Sequence, residues 1–494
     1  MGTVFLAENP DVTSYPNEEY YFSPQQNYPE YPWGSDTLAQ KDNRVYDLVR
    51  ECFYLTGYDK ANYNNMNWNP LGKIISPGNT VLIKPNWVDN INKSHKGSDG
   101  LQCLVTHPAV LRGVIDYVCI ALNGRGRIIV ADAPMQGCDF NDLLEKGGYN
   151  KLFSFYRNAG IAIEIGDLRK FAVDTRYDGV FEVKGKQGND YGSIRVNLDS
   201  LSMHASKDKF DLQYKVSDYL LTDTAKYHSS GKHAYEINKI ALEADVIINM
   251  PKPKTHRLAG MTGACKNLVG ITYEKASLPH RVPGNKKRYG DAYLKNSFWK
   301  RKMEFFDEKR TISSKKGQFS KSKVNDFLMK ACYLMGRVLT GDSTRIGSWY
   351  GNDTIWRTVV DLNYIIEFAD KKGGICRQPQ RKIFTIADMI IAGQGKGPVG
   401  PDPKLLGIIM MSDNSLLFDR ALCEIMGFDC QKLPMLRSKR AARKLGYKTI
   451  EEIANEKIIT NRDGAVAINA FKAKADWAFE PHPGWKGHVE KKEE

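Results

Sequence analysis

The stretch PKPKTHRLAGMTGACKNLVG, residues 251–270, is the part of this sequence richest in reactive groups. It sets Lys252, Lys254, His256, Arg257, Lys266 and Asn267 among glycines. Gly260, Gly263 and Gly270 permit close backbone approach to a ligand. The TGACKN piece is suited to offer backbone N–H groups and Lys266 to a phosphate or carboxylate. The glycine-to-lysine spacing is not that of a Walker A loop. An imidazole titrates near neutrality, so His256 is a candidate general acid/base, set against a purely structural histidine. Lys266 reads as a point-charge anchor or an amine of lowered pKa. Asp132, after an apolar run, is a candidate base or metal ligand, or a simple turn cap. Lys84 and Asn86, in KPNW, are placed to bind charge. The expected anion-binding set is Lys84, Asn86, Lys252, Lys254, Gly263, Lys266 and Asn267, with His256 and Asp132 as the acid/base pair.

These groups need a scaffold that gathers them. Val81-Leu82-Ile83, Ile128-Ile129-Val130 and Val246-Ile247-Ile248 are continuous apolar runs, as expected of buried parallel strands. Each ends in a polar stretch: Lys84-Pro85-Asn86, Asp132-Ala133-Pro134 and Pro251-Lys252. Thr106-His107-Pro108 opens a helix with proline in its first turn, and Gly124 and Gly126 close it. In an open parallel sheet, ligands sit beyond the carboxyl ends of the strands. If the three strands are neighbours, their tips share one rim. The fold class expected is α/β: a mostly parallel sheet flanked by helices, in two α/β halves with a β-hairpin and a basic insertion. Residues 161–165 read as a further strand, 179–198 as the hairpin, 234–243, 355–370 and 416–426 as helices, and 384–386 and 406–410 as strands. The Gly/Pro-rich GQGKGPVGPDP, 393–403, reads as a loop that is a lid, a substrate cradle or a plain turn.

The expected organisation is an aromatic and proline-rich extended arm (1–40), a first α/β half (41–275), a basic insertion of low periodicity (276–345), a second α/β half (346–480) and a polar tail (481–494). Of the chain's net charge of +14, the span Arg281–Lys323 supplies +10, from 14 Lys/Arg against four acids. Such a segment is either a solvated mobile loop or a site for an anionic partner: nucleic acid, membrane surface or phosphorylated substrate. No RNP, zinc-finger or helix-turn-helix signature favours nucleic acid. The nine cysteines are scattered without a C-x-x-C pair, which speaks against a disulfide scaffold or ferredoxin-type cluster and for a reducing, cytoplasmic setting. No apolar run reaches the ~18 residues of a membrane span, and the start MGTVFLAENPD lacks a signal-peptide core. His228 and His233, five apart in KYHSSGKH, and His280 are conceivable metal ligands, but no H-E-x-x-H spacing exists, so metal and cofactor stay unknown.

VLIKPNWV (81–88), THPAVLRGVIDYV (106–118), IIVADAPMQG (128–137), the 244–271 stretch, LPHRVPGN with YGDAY (278–293) and MGFD (426–429) resemble domain-of-unknown-function family 362. The likeness runs from about residue 75 to 435, with PK-x-KTH…TGACKN its specific part. Some relatives carry four-cysteine iron–sulfur runs, which this chain lacks. The long form with its basic insert and GNDTIWR (351–357) resembles members associated with bacterial surface-polysaccharide gene clusters, which implies a sugar-related substrate. HRLAGMTGACKNLVG also resembles the H-x-x-x-G-x-S-G-x-x-K segment of nickel-pincer lactate racemases, in which the His is an acid/base and the Lys holds the cofactor. His256 and Lys266 keep that spacing of ten. Asp132-Ala133-Pro134 stands where that family has Thr-His, and its later metal-ligating His has no counterpart here.

The function expected is proton transfer, of epimerase, racemase or isomerase type, on a small anionic and sugar-derived substrate. Two alternatives stand beside it: an iron–sulfur or metal-associated redox protein, and a non-catalytic binder of an anionic glycan or nucleic acid through 281–323. The number of subunits is left open.

Overall fold

In the computed structural model the described residues are 2–97, 99–175, 181–185, 189–217, 219, 223–453 and 456–491. The chain opens with β1 (Thr3–Glu8) and α1 (Arg44–Leu55). Then come β2 (Thr80–Pro85), α2 (Pro108–Leu122), β3 (Arg127–Asp132), α3 (Phe140–Lys146), α4 (Tyr149–Asn158) and β4 (Ile163–Asp167). Small strands β5 (Ala172–Thr175), β6 (Phe181–Lys184), β7 (Ser193–Asn197), β8 (His228–Ser229) and β9 (Lys232–Asn238) lead to α5 (Lys239–Glu243) and β10 (Val246–Met250). The short strands β11 (Lys254–His256) and β12 (Gly260–Thr262) precede α6 (Ala264–Asn267). Two long helices follow, α7 (Phe298–Lys315) and α8 (Phe319–Thr340), then α9 (Ile355–Phe368). The chain closes with β13 (Lys382–Lys396), β14 (Gly400–Ser412), α10 (Ser415–Ile425), β15 (Lys457–Thr460) and β16 (Gly464–Ala467).

One sheet organises the molecule, in the order β16-β15-β1-β14-β13-β10-β2-β3-β4, with β11 and β12 hung on β13. From β13 through β10, β2 and β3 to β4 every neighbour is parallel. The fold is therefore α/β with a mostly parallel sheet. Successive residues of a strand face opposite sides, and the core divides accordingly. Leu82, Ile129 and Ile247 join one apolar cluster with α9 and α10. Val81, Ile83, Ile128 and Val130 join the other with α1, α2 and α4. Burial on both faces is why these strands read as unbroken apolar runs. Helix α2 starts as its sequence requires: the His107 side chain accepts from Ala109 N and Pro108 needs no donor partner. It stops at Asn123, in the left-handed region, and Gly124.

Several expectations change. Strands β6 and β7 do not form a hairpin with each other among the described residues: β6 pairs with β5 and β7 with β9, and part of the expected turn lies outside the described residues. Residues 234–238, expected to open a helix, extend as part of β9 because β7 and β8 both offer it ladder partners; only 239–243 are helical. The stretch 393–403 is mostly the ends of two paired strands, since Gly393↔Pro403 through Lys396↔Gly400 continue the β13–β14 ladder to a turn at 397–399. The basic insertion contains two packed helices rather than an unstructured loop. The arm's first residues enter the sheet as β1, between β14 and β15. Both sequence halves share that one sheet. Trp485 and Val489 of the tail are fully buried.

Candidate active site

Strand direction decides the rim. β2 runs parallel to both β3 and β10, with Asn249 beside Lys84 and Met250 beside Pro85. The three polar tips therefore emerge together. Lys84 Nζ lies 2.8 Å from Asp132 Oδ1, and both side chains are almost wholly buried. Ala133 N donates to Asp132 Oδ1 (2.9 Å) and Trp87 N to Asp132 Oδ2 (2.7 Å). Both carboxylate oxygens are thus committed. This pair leaves no room for a side chain at residue 270: a Cβ on Gly270 would stand 1.9 Å from Asp132 Oδ1 and 2.7 Å from Lys84 Nζ.

In front of the pair lies a cavity of about 100 Å³. The β2 tip supplies Asn86, the β3 tip Asp132 to Met135, and the β11–β12 hairpin Lys254, His256, Arg257 and Thr262. Lys266, Asn267 and Gly270 come from α6 and the turn after it, Lys275 and His280 from the segment beyond, and Pro398 and Val399 from the β13–β14 turn. Cations outnumber the single carboxylate. Lys254 donates to Asn86 Oδ1 (2.6 Å), and Asn86 in turn to Asn267 Oδ1 (2.8 Å). Lys275 donates to Ala133 O (2.8 Å). Burial depresses all three lining lysines: Lys254 well below its usual value, helped by Lys252; Lys266 to about 8; Lys275 to about 7. A bound anion would reverse that depression.

The two imidazoles of the wall are set in opposite tautomers. His256 Nδ1 accepts from Leu258 N (3.0 Å) and Ala259 N (3.1 Å), so the neutral ring carries its proton on Nε2. His280 Nδ1 lies 2.7 Å from the carbonyl oxygen of Leu278, which can only accept; its proton is on Nδ1 and Nε2 keeps a lone pair. Burial holds both neutral, His256 well below its normal range and His280 down to about 3. One ring is a ready donor and the other a ready acceptor.

Of the residues expected at the site, Asn86, Asp132, Lys254, His256, Lys266 and Asn267 line the cavity. Lys84 sits behind its wall. Lys252 is elsewhere: it pairs with Asp388 (2.9 Å) in a fully buried contact and donates to Tyr15 OH (2.5 Å), which donates to Asp388 Oδ1 (2.6 Å). Gly263 also serves another purpose. The backbone N–H groups of Ala264 and Cys265, expected to meet a ligand anion, donate to Asp419 of α10 (2.6 and 3.1 Å), and a Cβ on Gly263 would lie 2.1 Å from Asp419 Oδ1. The protein's own carboxylate occupies that helix start. His107 acts as the α2 cap, and Asp139 caps α3.

Sequence reasoning passed over Lys275 and weighed His280 only as a metal ligand. The usable signal was LPH (278–280), since a carbonyl two residues back is what fixes the tautomer. His228 and His233 lie apart from the cavity: their Nδ1 atoms face each other at 3.1 Å, while His228 Nε2 meets Ser277 O and His233 Nε2 meets Asp208. Among the described residues no three His, Cys, Asp or Glu side chains gather as a metal-holding group. The cavity's donors, two histidines with one carboxylate already held by Lys84, do not fit a protein-ligated nickel centre.

Strand-tip cations line a small cavity at the rim of a mostly parallel sheet, on an α/β fold. The sequence matches the family described as Domain of unknown function (DUF362) over residues 81–180 and 208–424, and the chain belongs to that family. No curated protein matches it. Among solved structures it is similar to the lactate racemase apoprotein from Thermoanaerobacterium thermosaccharolyticum, at 12% identity and a TM-score of 0.32, over 78% of this chain and 55% of that one. The chain thus spans about half the length of that protein.

Proposed function

We propose that the protein catalyses proton transfer at a carbon next to a carbonyl or carboxyl group of a small anionic substrate. The single observation that supports this most is the pair of oppositely set imidazoles, His256 and His280, on one cation-rich cavity. The substrate's negative charge enters beside Lys254, Lys266 and Lys275. The His280 Nε2 lone pair takes the proton from carbon, and the freed electron pair moves onto the adjacent oxygen. The Nε2–H of His256 hydrogen-bonds that oxygen as its charge grows. Reprotonation of the carbon on the same face exchanges its hydrogen with solvent, and reprotonation on the opposite face inverts it. Asp132 and Lys84 are positioning residues here: with both oxygens of Asp132 occupied, the pair fixes the β2 and β3 tips. Nearby positive charge favours the ionised oxygen and opposes a charged His280, so the anion's neutralising presence is part of the reaction.

The cavity's volume suits a small acid, and a sugar-derived acid fits the polysaccharide association of similar long-form members. A setting in the cytoplasm agrees with free, scattered cysteines. The test is deuterium uptake from heavy water into a panel of α-hydroxy, aldonic and uronic acids, followed by NMR. We expect exchange with at least one acid, lowered roughly 10²–10⁴-fold by His280→Ala and by His256→Ala. Exchange that persists in both variants overturns the assignment.

A further inference from the structure

The helical hairpin α7–α8 is built with its polarity reversed. The buried residues are Lys300, Met303, Thr311, Ser313 and Ser314 on α7 and Ser322, Asp326, Cys332 and Gly336 on α8, so small and polar groups outnumber the apolar Met303 and Cys332. Ser314 and Ser322 share a hydrogen bond (2.7 Å), and Arg310 reaches Asp326 (3.3 Å). A Cβ on Gly336 would lie 3.0 Å from Lys300 Cγ. Most of the other apolar side chains lie on the outside. On α8, Val324, Phe327, Leu334, Met335 and Val338 recur at spacings of three, four and seven, so they share one face. Phe327 and Val338 are 70% and 69% exposed. On α7, Phe298, Phe305 and Ile312 form a line at spacing seven, all exposed.

Small and polar residues at a helix–helix seam with apolar residues outside is how helices pack when hydrocarbon rather than water surrounds them. Basic residues accompany the apolar ones. Lys302 Nζ lies 5.6 Å from the Phe298 ring and 5.3 Å from the Phe305 ring, and Lys309 Nζ is 5.5 Å from Phe305. Lys323, Lys330 and Arg337, at spacing seven, run along the edge of the α8 face. Neither helix is long and apolar enough to cross a bilayer. The hairpin is rigidly rooted: Lys300 is paired with Asp342, Arg281 with Glu304, and Lys215 with Glu308 (3.2 Å). Its root, Arg281, adjoins His280 of the cavity.

We infer that the α7–α8 hairpin docks this protein flat on an anionic lipid surface, with the α8 apolar face entering the headgroup layer and the flanking lysines meeting lipid phosphates. Charge selects this occupant over a second copy. Two such faces would bring together two hairpins each carrying +7 over residues 298–340, from 11 Lys/Arg against four acids. An anionic surface is attracted by the same charge. Apolar exposure separates it from a nucleic acid, which offers lysines their phosphates but nothing for Phe327 and Val338.

The test is co-sedimentation of the full chain with vesicles of phosphatidylcholine, alone or with about one third phosphatidylglycerol. The expected result is binding to the mixed vesicles at least tenfold tighter than to phosphatidylcholine, weakened by salt. Phe327→Ser/Leu334→Ser/Val338→Ser should lower it at least tenfold with charge unchanged, and Lys302→Glu/Lys309→Glu should lower it too. Light scattering and circular dichroism on the same samples show that the variants stay folded. Three results overturn the inference: no binding to either vesicle, equal binding by the triple serine variant, or a wild-type dimer that this variant converts to monomer.

Discussion

The strand-tip rim and the helical hairpin carry similar charge and dispose of it in opposite ways. At the rim, cations point inward, and most are tied down: Lys84 to Asp132, Lys252 to Asp388, Lys254 to Asn86. On the hairpin, most lysines lie outside among exposed apolar side chains, while serine, glycine and aspartate are hidden. Burying an amine depresses its pKa and makes it responsive to one small ligand; exposing it keeps it charged for an extended one. The same residue type is thus buried and depressed in one region and exposed in the other.

The comparison breaks most visibly at Gly270. Gly270→Ala would push a methyl into the Lys84–Asp132 contact. Separating a buried ion pair costs about 3–5 kcal/mol. Chemical denaturation should show a loss of that order, and an unchanged midpoint would mean that the tips yield easily. The second test concerns protons. With free pKa values of about 8 and 7, Lys266 and Lys275 are partly neutral at pH 8. An anion raises both, so the complex holds more protons than the free protein. Affinity for oxalate should therefore fall as pH rises from about 6 to 9, with proton uptake on binding, and Lys266→Met should weaken it roughly tenfold. Calorimetry in buffers of different ionisation enthalpy reads both effects. The smallest effect is expected on the hairpin: the triple serine substitution on α8 should change stability within about 0.5 kcal/mol per site, since exposed side chains contribute little to folding. A larger loss would show that the face packs against the protein itself.

The parallel centre of the sheet was legible because strands buried on both faces need no alternation. Val81-Leu82-Ile83 and Val246-Ile247-Ile248 announce themselves as unbroken apolar runs. Strand direction brings the tips of β2 and β3, and so Lys84 and Asp132, together; Lys266 reaches the same rim from α6. What escaped depends on distant partners. KHAYEIN carries helix-compatible spacing, and only its pairing with β7 and β8 makes it a strand. GQGKGPVGPDP looks like a loop by composition; its glycines are there because Gly393 lies against Cys103 O and Lys254. The amide groups of TGACKN look available until Asp419, 155 positions on, occupies them. The basic segment hid its helices because its apolar positions are interleaved with lysines on the outside rather than gathered toward a core.

Strand β1 has a consequence for how the chain is made. Val4 pairs with Ser412 on one side and Ile458 on the other. At synthesis rates of ~5–20 residues per second, its first neighbour arrives some tens of seconds after it leaves the ribosome. Until then Thr3–Glu8 is an apolar ribbon with both edges open, the kind of segment that pairs with the wrong chain. Thr3–Glu8 therefore needs shelter for as long as the residues between it and β14 take to be made.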